Sequence, residues 1–259
     1  MKFAAGIEYK GTAFDGWQSQ SHAPNVQDCI EQALTKVADS SVRTVCAGRT
    51  DSGVHATGQV VHFETVAVRR ENEWLRGCNA NMDKDVAVRW VCAVNDDFDA
   101  RKSAIKRHYR YIILNTPQAS ALLNDLTTHI YKPLDAKAMH RAAQALIGEH
   151  DFSSFRSAGC QSKTPIRHVY TVEVKRNGRL IYIDICANAF VQYMVRNIVG
   201  VLIEVGDGTQ PAQRVAEVLA KRDRTQGGIT APSNGLYLVR VEYEACYGLP
   251  DEAVYPSFY

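Results

Sequence analysis

The chain has 259 residues, 46% of them hydrophobic and 22% charged, with a formal net charge of +2. That length supports one large domain or two modest ones with real cores, and the composition excludes disorder as the bulk state. A nearly balanced charge excludes overall basicity as an argument for nucleic acid, so only local clustering of cations can make one.

The seven cysteines, Cys29, Cys46, Cys78, Cys92, Cys160, Cys186 and Cys246, show no C-x-x-C spacing, and most lie in apolar runs. Odd in number and scattered, they read as reduced, buried thiols rather than a disulfide framework or a zinc site. The opening MKFAAGIEYK has no long apolar leader core, and no apolar run approaches the roughly 20 residues that span a bilayer. The expected location is the cytoplasm.

In chain order, residues 3–9 alternate as a strand with Phe3, Ala5, Ile7 and Tyr9 on one side. After the loop GTAFDGWQSQ, Asn25 can cap a helix, with Asp28 three residues on and Val26, Cys29, Ile30, Ala33, Leu34 and Val37 at helical spacing. Residues 42–47 form a strand running into the turn CAGRTDSGVHATGQ, and QVVHFET leaves it as another. Residues 85–94 and 107–114 add strands. A helix is expected from Asp135 to Ile147, with Met139, Ala142, Leu146 and Ile147 inward and Gly148 as its stop. Residues 169–176 and 179–186 flank Asn177-Gly178, which predicts a hairpin with a type I′ turn. A long helix over 190–205, a shorter one opened by Pro211, and a last strand GLYLVRVEY complete the pattern. Residues 156–165 and 225–235 read as loops, and the tail after Gly248 is weakly patterned, although Tyr255, Phe258 and Tyr259 could dock.

The predicted class is α+β: two α/β lobes, residues 1–105 and 106–259, each a mainly antiparallel sheet with helices on one face. The lobes are expected to share a continuous sheet, with an active-site groove between them.

Few groups invite chemistry. His55 and His62 lie seven apart with no carboxylate or thiol completing a metal spacing, so His62 reads as a hydrogen-bonded strand residue and no metal is expected. No nucleophile elbow, phosphate loop or dinucleotide fingerprint occurs. Asp51 has two readings. One is an Asx-turn with Gly53; the other is a catalytic carboxylate beside Arg49, which an extended Arg-Thr-Asp places on the same side. The run FDARKSAIKRHYRYIIL holds Arg101, Lys102, Lys106, Arg107 and Arg110 among Tyr109 and Tyr111. It reads either as a solvated strand face or as cations for phosphates with an aromatic for stacking. Arg196, on an otherwise apolar stretch, either snorkels to the surface or pairs with an anion, for which Asp51 is the candidate.

With these residues in view, the chain resembles the tRNA pseudouridine synthase A (TruA) family. The matching pieces run end to end: GIEYKGTAFDGWQ, AGRTDSGVHATGQVVHF, FDARKSA, RHYRYIILN, DFSSF, FVQYMVRNIVG and GLYLV. The resemblance implies a cofactor-free isomerase that detaches uridine from its sugar, turns it and rejoins it through carbon. It implies Asp51 as the catalytic carboxylate, Arg196 as its basic partner, Tyr109 as the ring stacked on the target base, and Arg49 as the arginine holding the RNA strand open. Arg101, Lys106 and Arg107 are the expected grip on the RNA. The implied substrate is the anticodon stem and loop of tRNA (family target positions 38, 39 and 40), bound by a homodimer. Lys102 departs from the aromatic expected after the arginine, and Ser52 fills the motif's variable position.

The physics is coherent. A stacked base must be flipped to reach a carboxylate, at a cost of a few kcal/mol, and aromatic stacking returns roughly 1–3 kcal/mol of it. Glycines at 53 and 58 are expected to let the backbone bend and the RNA approach. Attack on the sugar, addition to the ring and removal of a sugar proton all need the same ionised acid. A tRNA-binding protein without catalysis would need the cations but no acid aimed at phosphates; a hydrolase would need a second carboxylate, and none stands out.

Overall fold

In the computed structural model, residues 1–251 and 253–258 are described, so Tyr259 lies outside the described residues. The chain forms two compact units: Met1–Arg107 with Tyr237–Ser257, and His108–Leu236 with Phe258.

The first unit is built on β1 (Lys2–Tyr9), β2 (Thr44–Cys46), β3 (His55–Glu64), β4 (Val86–Ala93) and the distant β10 (Leu236–Glu242). β1 lies antiparallel between β3 and β4, and β2 pairs antiparallel with β3. β10 joins β3 in parallel, with Tyr237 opposite His55. Helices α1 (Val26–Ala38) and α2 (Glu71–Asn79) complete the unit. α1 starts where expected, because Asn25 Oδ1 accepts the Asp28 N–H at 2.8 Å. Its apolar stripe of Val26, Ile30, Ala33 and Leu34 is buried. α2 was not expected. Its first turn is Glu71-Asn72-Glu73, and Glu73 Oε2 accepts the Arg70 N–H at 2.7 Å. Only Trp74 and Cys78 are buried along it, too few apolar positions to reveal a period. Trp74 packs at 5.8 Å from Phe3 and 5.2 Å from Phe63, ring centre to ring centre. Burying each such side chain contributes about 1.5–3 kcal/mol.

The second unit holds β5 (Lys106–Asn115) over most of its length, β6 (Thr128–Ile130), β7 (Gly148–Asp151), β8 (Ile166–Asn177) and β9 (Leu180–Ala187). Helices α3 (Ala136–Ala143), α4 (Met194–Gly206) and α5 (Arg214–Lys221) belong to it as well. β7, β8 and β9 pair antiparallel, while the short β6 runs parallel to β5. Together the units form an α+β protein with a mainly antiparallel, mixed pattern of strands and five α-helices among the described residues.

Local outcomes differ from the sequence pattern at four places. Asn177 pairs with Leu180, so the hairpin loop is Gly178-Arg179. Only Gly178 there has positive φ, at 56°, whereas a type I′ turn needs two such residues. The helix expected from Asp135 is present as α3, and Asp135 caps it by accepting from the Lys137 and Ala138 N–H groups. The helix then tightens into a 3-10 turn over Gln144–Leu146, which leaves Ile147 41% exposed instead of inward. Phe190 to Tyr193 are not helical: α4 begins at Met194 because Tyr193 adopts φ 66°, outside the helical region. The tail is tied down, since Arg240 forks onto Asp251 and Thr57 donates to the Val254 carbonyl. No helix among the described residues is long and apolar enough to cross a membrane.

Candidate active site

Between Cys46 and His55 the chain forms the loop that carries Asp51, and this loop is fastened at nearly every residue. Ala47 donates to the Val60 carbonyl at 2.8 Å, and its own carbonyl accepts from Arg107 Nη2 at 3.1 Å. Gln59 Nε2 donates to the Gly48 carbonyl at 2.6 Å. Thr50 Oγ1 shares a 2.8 Å hydrogen bond with the Tyr9 hydroxyl, and the Thr50 carbonyl accepts the Trp17 N–H at 3.0 Å. The Asp51 carbonyl accepts the Val54 N–H at 3.1 Å, and Gly53 donates to the Phe14 carbonyl at 3.2 Å. Gly53 has φ 77°, the turn geometry that an L side chain strains. Gly58 has a different use from the one expected. A Cβ there would strike the Val239 carbonyl, so its missing side chain admits β10 to the sheet.

Along this loop burial alternates. Arg49 is exposed, Thr50 is buried and Asp51 is half-buried, as an extended segment with Thr50 turned into the body requires. Sequence reading did not find the supports. Tyr9, Trp17 and Gln59 all hold the loop, and Gln59 is fully buried. An amide inside the run QVVHF was the available signal, because a buried amide must find partners. His62 is also buried, with Nδ1 accepting the Ala100 N–H at 3.0 Å, the hydrogen-bonded strand histidine expected. Burial, chiefly, lowers its pKa. Among the described residues no three His, Cys, Asp or Glu side chains gather as a metal set.

The first unit also gathers Arg49 and Arg101, whose charges both reach the thiol of Cys46. Burial nevertheless dominates there and pushes that thiol up to about 12. Lys106 meets Glu242 at 3.3 Å, and Lys102 stands 3.7 Å from Asp99. Asp99 caps the turn by accepting the Arg101 and Lys102 N–H groups, and these hold its pKa down against partial burial. Arg107 is turned inward. It is 9% exposed and donates to the carbonyls of Ala47, Arg101 and Ala104. Such a guanidinium braces the loop and the FDARKSA segment.

Tyr109 and Arg196 belong to the second unit, on β5 and α4. Tyr109 is 8% exposed, its ring set edge-on to Phe190 at 4.9 Å. Its neighbour Tyr111 is fully buried and donates to the Pro232 carbonyl at 2.8 Å. Arg110 points elsewhere, forking onto Asp184 with two 2.7 Å contacts. Arg196 Nε donates to the Ala231 carbonyl at 2.8 Å, and its guanidinium carbon lies 4.8 Å from the centre of the Tyr193 ring.

Two segments, residues 5–101 and 142–244, match the family model described as tRNA pseudouridine synthase. The chain belongs to the tRNA pseudouridine synthase family. It is 54% identical over 258 residues to tRNA pseudouridine synthase A of Pectobacterium atrosepticum, covering 100% of this chain and 91% of the relative. The same identity over 257 residues relates it to tRNA pseudouridine synthase A of Escherichia coli O9:H4, covering 99% of this chain and 95% of that one. A far weaker likeness links it to a chain from the crystal structure of a Cbf5-Nop10-Gar1 complex. That alignment has 12% identity and a TM-score of 0.32, covering 77% of this chain and 54% of the other. Family membership makes the protein an isomerase that converts uridine in tRNA to pseudouridine. A pseudouridine synthase needs a base removed from its stack and a fixed group to act on it.

Proposed function

We propose that this tRNA pseudouridine synthase acts on uridines of the anticodon stem and loop, with Asp51 as the carboxylate that works on a flipped-out uridine. Tyr109 stacks on the base, and Arg196 is the cation that keeps the acid ionised while water is excluded. Arg49 holds the RNA strand open, and Arg101 and Lys106 grip its phosphates. The observation that carries the reading is the loop itself. Hydrogen bonds fix its backbone from Ala47 to Val54, and they leave the carboxyl-bearing residue half-buried beside an exposed arginine.

A catalytic group gains from such rigidity because misplacement by about 1 Å can cost roughly a hundredfold in rate. A carboxylate that only shaped a turn would need no such bracing from Tyr9, Trp17, Gln59 and Arg107. The relatives' name, tRNA pseudouridine synthase A, supports tRNA as the substrate. The protein works as a homodimer in the cytoplasm, as the resemblance implies. Incubating it with an unmodified tRNA transcript and mapping pseudouridine residue by residue tests the substrate assignment. New pseudouridine in the anticodon arm supports it, and modification confined to another arm contradicts it.

A further inference from the structure

Tyr193 has the least comfortable backbone in the second unit. It is an aromatic residue at φ 66°, ψ 2°, in the left-handed region. Bulky side chains avoid that region, because the Cβ crowds the following carbonyl oxygen. Gln192 is fixed from outside, its carbonyl accepting the Ser157 N–H at 3.0 Å, and the turn is closed locally by Met194 N–H donating to the Val191 carbonyl at 3.0 Å. The reversal stops the apolar run FVQYMVRN from continuing as helix and starts α4 at Met194.

One consequence falls on Arg196, three residues along. The Tyr193 ring lies 4.8 Å from the guanidinium carbon, while the Ala231 carbonyl takes Nε at 2.8 Å. The carbonyl is itself held, because Ala231 N–H donates back to the Arg196 carbonyl at 3.1 Å and Tyr111 secures the adjacent Pro232. Ring face and carbonyl share a property: each attracts a cation with partial charges only, and neither carries a formal charge. Both contacts orient the guanidinium. Strained backbone that persists at such a spot is a signature of function.

We infer that Tyr193 is a positioning residue for Arg196, held in a strained conformation so that its ring aims the guanidinium at the reacting centre. The inference rests on the catalytic role proposed for Arg196. Glycine relieves the backbone strain and asparagine tolerates it, yet both remove the ring. The test is therefore steady-state turnover of an unmodified tRNA transcript, together with thermal unfolding, for Y193G, Y193N and Y193F.

Y193G is expected to melt no lower than the parent, whereas both ringless variants lose about tenfold or more in kcat. Their KM for tRNA stays within about twofold, and Y193F keeps kcat within about twofold. Full turnover by Y193G and Y193N overturns the inference, as does a raised KM at unchanged kcat, which would make the ring an RNA contact. Equal damage in Y193F also overturns it, by making the hydroxyl the acting group. R196Q separates the two levels. If R196Q is fully active, the role of Arg196 itself fails; if R196Q is inactive and Y193G is active, only the inference about Tyr193 fails. In the R196Q background, adding Y193G should change the residual rate little, because residues acting as one unit are not additive.

Discussion

Tyr109 and Tyr193 differ in what fixes their rings. Tyr109 is 8% exposed and edge-on to Phe190, so its ring orientation is set by packing before any base arrives. If the ring does the stacking, Tyr109→Ala should cut kcat by about a hundredfold, combining lost stacking with the cavity left behind. Tyr109→Phe should lie within about fivefold of the parent, because the stacking face survives. Single-turnover rates on an unmodified transcript check both; equal losses would make the hydroxyl decisive. Tyr193 instead accepts a backbone conformation that costs about 1–3 kcal/mol.

On the scale of elements, the Asp51 loop is supported by strands. Arg107 is the second residue of β5, after the FDARKSA turn, and Gln59 sits inside β3; both side chains end on carbonyls of the loop. Arg107→Met would strand three carbonyls. It should destabilise the protein by about 2–4 kcal/mol in urea unfolding, while the salt dependence of tRNA binding stays unchanged. A flattened salt slope with parental stability would show that Arg107 meets phosphate after all. Arg101→Met is expected to do the reverse, lowering the salt slope by about one with little effect on unfolding.

These two arginines explain what the sequence could convey. Both lie in one cationic run, and nothing in the letters says that one is exposed and the other turned inward. Burial is decided by the parallel and antiparallel partners of a strand, which are distant in sequence. The Asn25 cap, the helix starting near Asp135 and the alternation of Arg49, Thr50 and Asp51 were legible because each depends on neighbours within a few residues. The helix at Glu71 was missed for want of an apolar period. The start of α4 was misread because a single left-handed residue has no pattern.

At the level of the whole molecule, the last strand belongs with the first unit. β10 pairs in parallel with β3, Tyr237 stacks on His55 at 4.6 Å, and Gly58 leaves room for Val239. A cut through the sequence near residue 105 cannot express such a return. Removing residues 237–259 should therefore unfold the unit that carries Asp51, read as loss of its cooperative thermal transition. An intact transition in the truncated chain would show that β10 is dispensable. The thiols fit the same picture of a tightly packed body. Burial pushes Cys46 and Cys78 up to about 12 and Cys92 up to about 11, so all three should resist alkylation at neutral pH. Rapid labelling of any of them in the native protein would contradict that packing.

The central claim is that one carboxylate on a braced loop acts on the extruded uridine. Asp51→Asn is nearly isosteric and leaves the backbone bonds of the loop in place, so tRNA affinity should stay within about twofold while turnover is lost. The deciding measurement is pseudouridine formed in the anticodon arm by Asp51→Asn, with binding to the same transcript measured in parallel. Unchanged binding with no pseudouridine is the predicted result; pseudouridine formed at the parental rate would contradict the account.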